Sequence, residues 1–411
     1  ISCRKGEIKM PTINNGDVAF MVVTTVLVFL MTPGLAFFYG GLVEKRNSLT
    51  MMMYSFIAIG VVTVMWTLGG FSLVFGRDIG GFIGDISQYF MLKGVDFTVN
   101  PIYGSRIPFL MYFMYQLMFA IITAPLMTGA FANRMNIVGW IKFLVLWMIV
   151  IYFPVAHWVW GGGFLAKWGF VDYAGGTVIH TTAGFGALAA ILFLGKRAVR
   201  PHKGPGNIAL VLIGGAILLF GWFGFNSGGA LAGGETAALA FTNTGIAAGF
   251  ASIVWVIISY IKEKHFSIVE FITGAVAGLA TITPCSGYVT PQGSVFIGII
   301  AAVACFIFVH LAKSLKLDDA LDVWGVHGMG GFIGTLLIGL FAVSAVNGIS
   351  ASFNQFIVQL YGVVIVAAYS FILTFVILKI CDMTGTIRVS PEVQKEGLDK
   401  NLLHEKFSVE E

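Results

Sequence analysis

Long apolar segments separated by short polar loops make up most of this chain. Eleven of them are long enough to cross about 30 Å of hydrocarbon; they lie at 18–43, 48–75, 107–132, 138–160, 173–195, 206–228, 237–261, 267–284, 292–312, 321–344 and 354–380. Their polarity does not alternate along the chain as it does in barrel strands, so the pattern favours helices. We therefore predict an all-α polytopic membrane protein with eleven transmembrane helices.

The amino-acid composition excludes a soluble protein of this length. Of the 411 residues, 57% are hydrophobic and only 11% are charged, less than half the share that is usual in soluble domains. The four cysteines are too few and too scattered for a disulfide framework or a zinc site. Because the net charge of +4 is not concentrated in a basic cluster, we expect membrane lipid and no nucleic acid as a partner.

Charged residues inside the predicted spans are few, and all lie near span ends, where long side chains reach the interface: Lys142, Glu270, Asp322 and Lys379. The loops that follow the odd-numbered spans, together with Lys142, carry 12 of the 24 lysines and arginines, whereas the opposite side carries 7. The positive-inside rule then predicts an extracellular segment at 1–17 and a cytoplasmic tail at 381–411. The protein would be a multi-pass protein of the cell membrane.

Two histidines lie well inside predicted spans, and each is part of a repeated motif. Asp172-x7-His180-x3-Gly184-Phe185 matches Asp319-x7-His327-x3-Gly331-Phe332 at an offset of 147 residues. This offset corresponds to five spans, an odd number, so the second copy crosses the membrane in the opposite direction. We therefore predict two inverted five-helix repeats, at about 18–195 and 206–344, followed by a single helix at 354–380.

The depth of the two histidines predicts that their rings meet. At 1.5 Å per residue, each lies within about 5 Å of the membrane centre. Ionisable groups at this depth are costly and usually line a pathway. Two histidines without a third ligand make a poor metal site, and we predict neither a metal nor a cofactor. No carboxylate or lysine accompanies them, which suits a small neutral molecule or a cation that can lose a proton.

Three motifs combine aromatic residues with polar or small ones, and we expect them to lie near the pathway that the two histidines would line. They are AHWVWGGG at 156–163, GWFGFN at 221–226 and YQLMF at 115–119. One interpretation is an aromatic belt at the membrane interface. The other is a site that binds a cation through the faces of its rings.

The motifs HWVWGGG, VDYAGGTVIH, GWFGFN and DVWGVHG, in this order and spacing, resemble the Amt/Mep/Rh ammonium transporters, in particular the Amt subgroup. The resemblance extends from PGLAFFYGG at 33–41 to RVSPE and EGLD in the tail. It implies a homotrimer, a channel domain at 18–380 with one pore in each subunit, and ammonium or ammonia as the substrate. It implies transport rather than an enzymatic activity.

The resemblance also assigns individual roles. It implies a substrate-binding site at the outer end of the pore, a gate of two phenyl rings below it, and a histidine pore lining with an indole beside it. The residues are, in this order, Trp160, Tyr115 and Asp172; Phe119 and Phe225; and His180, His327 and Trp222. Because a charge in hydrocarbon is costly, we expect NH4+ to be deprotonated and NH3 to pass, with or without a separate proton relay.

The chain departs from the family pattern at two places. Gly229 stands where many bacterial relatives have a serine. One expectation is that the outer site is weakened by the loss of one hydrogen bond, or shifted, with Ser227 as a substitute. The other is that water fills the gap without consequence. In the tail, Gly397-Leu398-Asp399 fits the family, but the ending at 404–407 does not. Two expectations stay open for the tail: contact with a PII-type regulator, or a fused signalling domain such as a histidine kinase in an ammonium sensor.

Overall fold

A computed structural model describes residues 12–199 and 204–407, and in these ranges each predicted apolar segment forms a helix. The helices are α1 (Asn15–Leu42), α2 (Ser48–Met65, Trp66–Gly70 and Phe71–Phe75), α3 (Phe109–Leu126 and Thr128–Phe131), α4 (Ile137–Trp147, Met148–Tyr152 and Phe153–Trp160), α5 (Gly176–Thr181 and Thr182–Leu194), α6 (Ile208–Ser227), α7 (Glu235–Glu263), α8 (Ile268–Ile282), α9 (Pro291–Ser314), α10 (Trp324–Gly328 and Met329–Phe341) and α11 (Phe353–Met383). The all-α membrane fold is therefore confirmed.

Ten of these helices are long and apolar enough to cross a membrane, and α8 is the exception. It has 15 residues and is shorter than the predicted segment 267–284. Thr283 precedes Pro284, and a proline both disfavours the helical conformation of the residue before it and lacks the N–H that a helix needs. The chain turns here, which brings Thr283 and Pro284 to the centre of the bundle.

Helix starts follow the usual capping chemistry. At six starts the side-chain oxygen of the preceding residue accepts a backbone N–H of the first turn, which satisfies a donor that has no partner within the helix. The six capping residues are Asn14, Asn136, Asn207, Ser267, Thr290 and Ser352. These caps set where the apolar segments leave the loops.

The loop between α2 and α3 contains two small antiparallel pairs. Strand β1 (Asp78–Ile79) pairs with β2 (Ile83–Gly84), and β3 (Val99–Asn100) pairs with β4 (Gly104–Pro108). The other short turns of helix are Lys45–Asn47, Phe90–Leu92, Phe164–Lys167, Gly228–Ala230, Ser344–Asn347, Pro391–Glu396 and Asp399–Leu403.

Helices α5 and α10 cross at the centre of the bundle and run antiparallel. Thr177 contacts Thr335 through their hydroxyls at 2.7 Å, and further along the pair Gly184 lies against Gly328. A higher number on one helix therefore meets a lower number on the other. The first helices of the two predicted repeats, α1 and α6, also pack closely, since a Cβ on Gly214 would lie 2.2 Å from the backbone nitrogen of Phe38.

The described part of the tail folds back on the bundle. The carboxylate of Asp399 accepts the backbone N–H groups of Leu49 and Thr50 at 3.0 and 2.8 Å, at the start of α2. The backbone N–H of Val389 donates to the carbonyl oxygen of Arg134 at 3.0 Å, just before α4. The tail thus lies against the loops that are rich in lysine and arginine.

Candidate functional site

Equivalent carboxylates cap the two central helices. The carboxylate of Asp172 accepts four backbone N–H groups, from Gly175 and Gly176 on one oxygen and from Thr177 and Val178 on the other, at 2.7–3.0 Å. In the second copy of the motif, Asp319 accepts the N–H groups of residues 323 and 324 at 3.0 and 2.9 Å. These are the counterparts of residues 176 and 177 at the same offset, so the repeated Asp is a helix cap in both copies.

Each histidine lies in a π-helical turn that follows its cap. His180 is in the π-turn Gly176–Thr181 that opens α5, and His327 is in the π-turn Trp324–Gly328 that opens α10. A π-turn inserts one extra residue and changes the direction in which the following side chains point, and such turns are frequent at functional sites. Hydrophobic periodicity contains no signal for them.

The two histidine rings are in contact. Their Nδ1 atoms lie 3.3 Å apart, and the rings stack at 5.2 Å with an angle of 19° between their planes. Both residues are buried, with 2% and 5% of their surface exposed. A hydrogen bond between two Nδ1 atoms needs one donor and one acceptor, so in the neutral pair one Nε2 is an acceptor and the other a donor. Nε2 of His180 has no partner among the described residues.

The glycine that follows each histidine by four residues allows the two helices to cross closely. A Cβ on Gly184 would lie 2.0 Å from the Cα of Gly328. A Cβ on Gly331 would lie 2.2 Å from the carbonyl oxygen of Gly176 and 2.8 Å from the Cβ of His180. No side chain fits at either place, which explains the His-x3-Gly spacing in physical terms.

Trp222 lies beside both histidine rings. Its ring lies 5.1 Å from that of His180 and is parallel, within 1°, to the ring of His327 at 6.5 Å. Its indole N–H donates to Oγ1 of Thr283 at 2.8 Å. The turn after the short helix α8 therefore fixes the indole. Our sequence analysis did not single out Thr283, because a single threonine before a proline carries no spacing signal.

Two phenyl rings lie next to the histidines. The ring centroids of Phe119 and Phe225 are 4.5 Å apart, and the ring of Phe225 lies 6.0 Å from that of His180. The hydroxyl of Tyr115 donates to the carbonyl oxygen of Phe225 at 2.8 Å, and its ring contacts Phe119 edge-on at 4.8 Å. All three aromatic residues are buried.

Trp160 lies on the far side of the phenyl pair from the histidines and is half-buried. Its ring meets Phe119 edge-on at 5.9 Å, and its indole N–H donates to the backbone carbonyl oxygen of Asp172 at 2.8 Å. We predicted Asp172 as a substrate-binding residue. Its buried carboxylate already accepts four backbone N–H groups. Asp172 therefore acts indirectly, by holding the indole of Trp160 and the start of α5 in place. We do not propose a direct contact between Asp172 and the substrate.

His157, in the same motif as Trp160, lies away from this path. Its Nδ1 is 2.7 Å from the carbonyl oxygen of Val74, and its Nε2 is 2.9 Å from the carboxylate of Asp78 in β1. Both ring nitrogens therefore face oxygen atoms. Lys167 also pairs with Asp78 at 2.5 Å, so this part of the motif holds the loop between α2 and α3.

The space around His327 changes abruptly in width and polarity. On one side is a cavity of about 10 Å³, room for one water-sized molecule, lined by Met31, Leu35, Phe38, Ile122, Leu126, Ile179, His180, Leu218, Trp222, Phe225, Val276 and His327. On the other side is a vestibule of about 670 Å³. The narrow cavity has no charged side chain among its described lining residues, whereas the vestibule is lined by Glu44, Arg197, Lys262, Glu263, Glu270, Lys313 and Asp322.

The two residues at the departure from the family pattern are both packed. The hydroxyl of Ser227 donates to the carbonyl oxygen of Phe223 at 2.6 Å, one turn back in α6. A Cβ on Gly229 would lie 2.9 Å from Cε1 of Tyr173. The Ser227 hydrogen is thus committed within its own helix, and the space beside Gly229 holds a tyrosine ring.

In the described residues, no group of three or more His, Cys, Asp or Glu side chains could hold a metal ion. The site is therefore one of aromatic rings, imidazoles and backbone groups. Such groups can bind a cation by ring faces and can exchange hydrogen bonds and protons.

The chain is similar in sequence to known proteins along nearly its whole length. A model of the Ammonium Transporter Family matches residues 19–408. An ammonium transporter of Aquifex aeolicus is 44% identical over 96% of this chain and 93% of its own length. Ammonium transporter Amt1 of Archaeoglobus fulgidus is 39% identical over 94% of this chain and 97% of its own length.

The chain is also similar in fold to solved structures of related proteins. The crystal structure of Candida albicans Mep2 has a TM-score of 0.86 at 35% identity, covering 92% of this chain and 87% of that one. A structure described as a sensor Amt protein has a TM-score of 0.87 at 30% identity, covering 94% and 97%. With a family match over nearly its whole length and this agreement in fold, the chain belongs to the Ammonium Transporter Family.

Proposed function

We propose that this protein is an ammonium transporter that binds NH4+ at an aromatic site, removes a proton, and passes NH3 along the narrow cavity. The observation that carries this proposal is the contact between His180 and His327 at the end of that cavity. A bare cation would lose its hydration there without any charged side chain to replace it, at a cost of several kcal/mol. NH3 carries no such cost, and potassium cannot lose a proton to escape it.

The outer site would be formed by Trp160 and Tyr115. The indole N–H of Trp160 is already bonded to Asp172, which fixes the ring and leaves its face to attract a cation. The hydroxyl hydrogen of Tyr115 is bonded to Phe225, so its oxygen is left as an acceptor. NH4+ has only donors, and ring faces together with oxygen acceptors are what it needs.

The phenyl pair would act as the gate. At a centroid separation of 4.5 Å, Phe119 and Phe225 leave no gap for a hydrated ion. A small molecule can pass when the rings rotate, and rotation of side chains is fast on the timescale of transport. The gate therefore disfavours hydrated cations and not NH3.

The histidine pair would hold NH3 and can also carry the proton. NH3 can accept a hydrogen bond from one Nε2–H and donate to the other Nε2, because the two rings are opposite tautomers. The same hydrogen-bonded pair can take up a proton at one Nε2 and release one at the other. Transport of NH3 alone and transport with a separate proton relay are both compatible with this geometry.

A second candidate function is ammonium sensing along the same path. The observation that favours it is the likeness to a sensor Amt protein at a TM-score of 0.87. Against it stand the relatives at 39–44% identity, which are named ammonium transporters. We favour transport because of this closer sequence similarity.

The experiment that separates these functions uses the purified protein in liposomes. An inward ammonium gradient should raise internal alkalinisation, electrical current or both above the level of empty liposomes, whereas a potassium gradient should not. Alkalinisation without current indicates NH3 alone, and current indicates that charge crosses as well, as a proton relay requires. If neither signal exceeds that of empty liposomes while calorimetry shows ammonium binding, sensing is the better account.

We further propose that the side carrying the loops rich in lysine and arginine is cytoplasmic and that the outer site faces outside. The described tail lies on the same side as these loops, where a PII-type regulator would reach it. A homotrimer, with one path in each subunit, remains our expectation for the assembly.

A further inference from the structure

The hydroxyl of Tyr173 is a buried polar group that has no hydrogen-bond partner among the described residues. Buried polar groups are nearly always paired, because an unpaired one loses its hydrogen bonds to water without replacement. An exception of this kind points to a ligand, an ion or a water molecule that completes the site. Tyr173 directly follows the capping residue Asp172 and precedes α5.

The ring of Tyr173 is held between two glycines. A Cβ on Gly229 would lie 2.9 Å from Cε1 on one edge, and a Cβ on Gly287 would lie 2.1 Å from Cε2 on the other. The ring of Tyr288 meets it edge-on at 5.6 Å. With both edges enclosed, the ring has one position, and the place of its hydroxyl is fixed with it.

This place belongs to the outer site. Asp172, the residue before Tyr173, receives the indole N–H of Trp160 on its carbonyl oxygen. Gly228, the residue before Gly229, packs on Tyr115, since a Cβ there would lie 2.6 Å from the tyrosine oxygen. Tyr173 is thus linked to both predicted cation ligands.

Ser227 gives less reason to infer an additional ligand, because its hydroxyl already has a hydrogen-bond partner, although its oxygen remains an acceptor as that of Tyr115 does. Its hydroxyl hydrogen is bonded to the carbonyl oxygen of Phe223 at 2.6 Å, as is common for serine within a helix. Tyr173, by contrast, has a hydroxyl with no competing partner in the described part of the chain.

We propose that Tyr173 is a specificity-determining residue of the outer site and that its hydroxyl oxygen accepts a hydrogen bond from the bound NH4+. Gly229 provides the room for the ring, so the absence of a side chain there is part of the same arrangement. This inference rests on the proposed function of Trp160 and Tyr115 as the outer cation site.

The test is ammonium chloride binding to the purified full chain, measured by calorimetry, together with transport in liposomes. Replacing Tyr173 by Phe removes only the hydroxyl and keeps the ring between the glycines. We expect the dissociation constant to rise about two- to tenfold, as the loss of one neutral hydrogen bond predicts. The matched control, Tyr288→Phe, removes the hydroxyl of the neighbouring ring and should leave binding unchanged.

An unchanged dissociation constant in Tyr173→Phe, or an equal rise in both variants, would overturn the inference. Neither result would affect the proposed function, which fails if the wild-type protein does not transport ammonium. A third variant, Gly229→Ala, tests the role of the glycine. Its methyl group displaces the ring, so it should weaken binding in the wild-type background but have little further effect in Tyr173→Phe. Additive losses would contradict the link between the two residues.

Discussion

The Nδ1 atoms of His180 and His327 lie 3.3 Å apart, although 147 residues separate them in the chain. The contact exists because each histidine lies in a capped π-turn and precedes a glycine that the partner helix packs against. The caps, turns and glycines occur at equivalent positions of the two copies. The pair is therefore a product of the repeat, and changes to any of these supports should reach the histidines.

Replacing Gly184 by Ala should destabilise the protein strongly. The new Cβ would lie 2.0 Å from the Cα of Gly328, and neither backbone can move without displacing a histidine turn. We expect a loss of about 2–4 kcal/mol, within the range of severe overpacking. Thermal unfolding of the protein in detergent measures it.

Gly249→Ala in α7 is the control, because no atom outside its own helix lies near its added Cβ. That change should be neutral or slightly stabilising, since Ala favours a helix more than Gly does. Equal stability of the two variants would show that the close crossing of α5 and α10 is not required.

Replacing Asp172 by Asn should disorganise the outer end of α5. An amide has one acceptor oxygen, so two of the four backbone N–H groups would face an NH2 group instead. We expect a loss of about 3 kcal/mol in the free energy of unfolding, since these bonds go to a charged group. Urea denaturation in detergent compares this variant with Asp172→Glu, which keeps both oxygens. If Asp172→Asn unfolds at the same urea concentration as the wild type, the capping role is ruled out.

The stability of the protein should depend on pH through Asp319. Burial and the charge of Asp322 raise the pKa of Asp319 to about 7, although backbone N–H groups and Arg134 oppose the rise. In the unfolded chain an aspartate ionises near pH 4. Between these values the folded protein binds more protons than the unfolded chain, so this contribution to stability is present below about pH 4 and lost as the pH rises to about 7.

Asp319→Asn should flatten this dependence. We expect a wild-type contribution of about 1–2 kcal/mol across the window, because Asp319 keeps some contact with solvent. Unfolding temperatures of both proteins between pH 4.5 and 8 provide the measurement, with the difference between them as the quantity of interest. A difference that stays constant with pH would contradict the assignment.

Replacing Phe225 by Ala should reduce the selectivity of the path. The phenyl pair is lost, and water can reach His180 from the outer side. Since a wetted path lowers the cost of an ion, we expect potassium to permeate and the preference for ammonium to fall about tenfold or more. Phe223→Ala is the control, because this residue lies two positions earlier in α6 and its ring contacts Phe241. Potassium exclusion by Phe225→Ala would argue against the gate.

The sequence predicts much of this architecture, because hydrophobic segments and an exact repeat are strong signals. The long runs gave the helices, and the offset of 147 residues gave the contact between His180 and His327. The features that the sequence does not predict are those that depend on packing between helices. The π-turns, the bond from Trp222 to Thr283, and the ring of Tyr173 over Gly229 are examples. Pro284 indicates that α8 ends before it, but we placed the end of the segment at residue 284 because the apolar run continues that far.

The most direct test of the account compares wild-type protein with His180→Ala in liposomes, using gradients of ammonium chloride and potassium chloride. His265→Ala, a change in an exposed loop histidine, controls for reconstitution. We predict ammonium-dependent transport without potassium transport for the wild type and the control. In His180→Ala, transport should disappear or lose its preference for ammonium over potassium. Ammonium transport of unchanged rate and selectivity in His180→Ala would contradict the central role of the histidine pair.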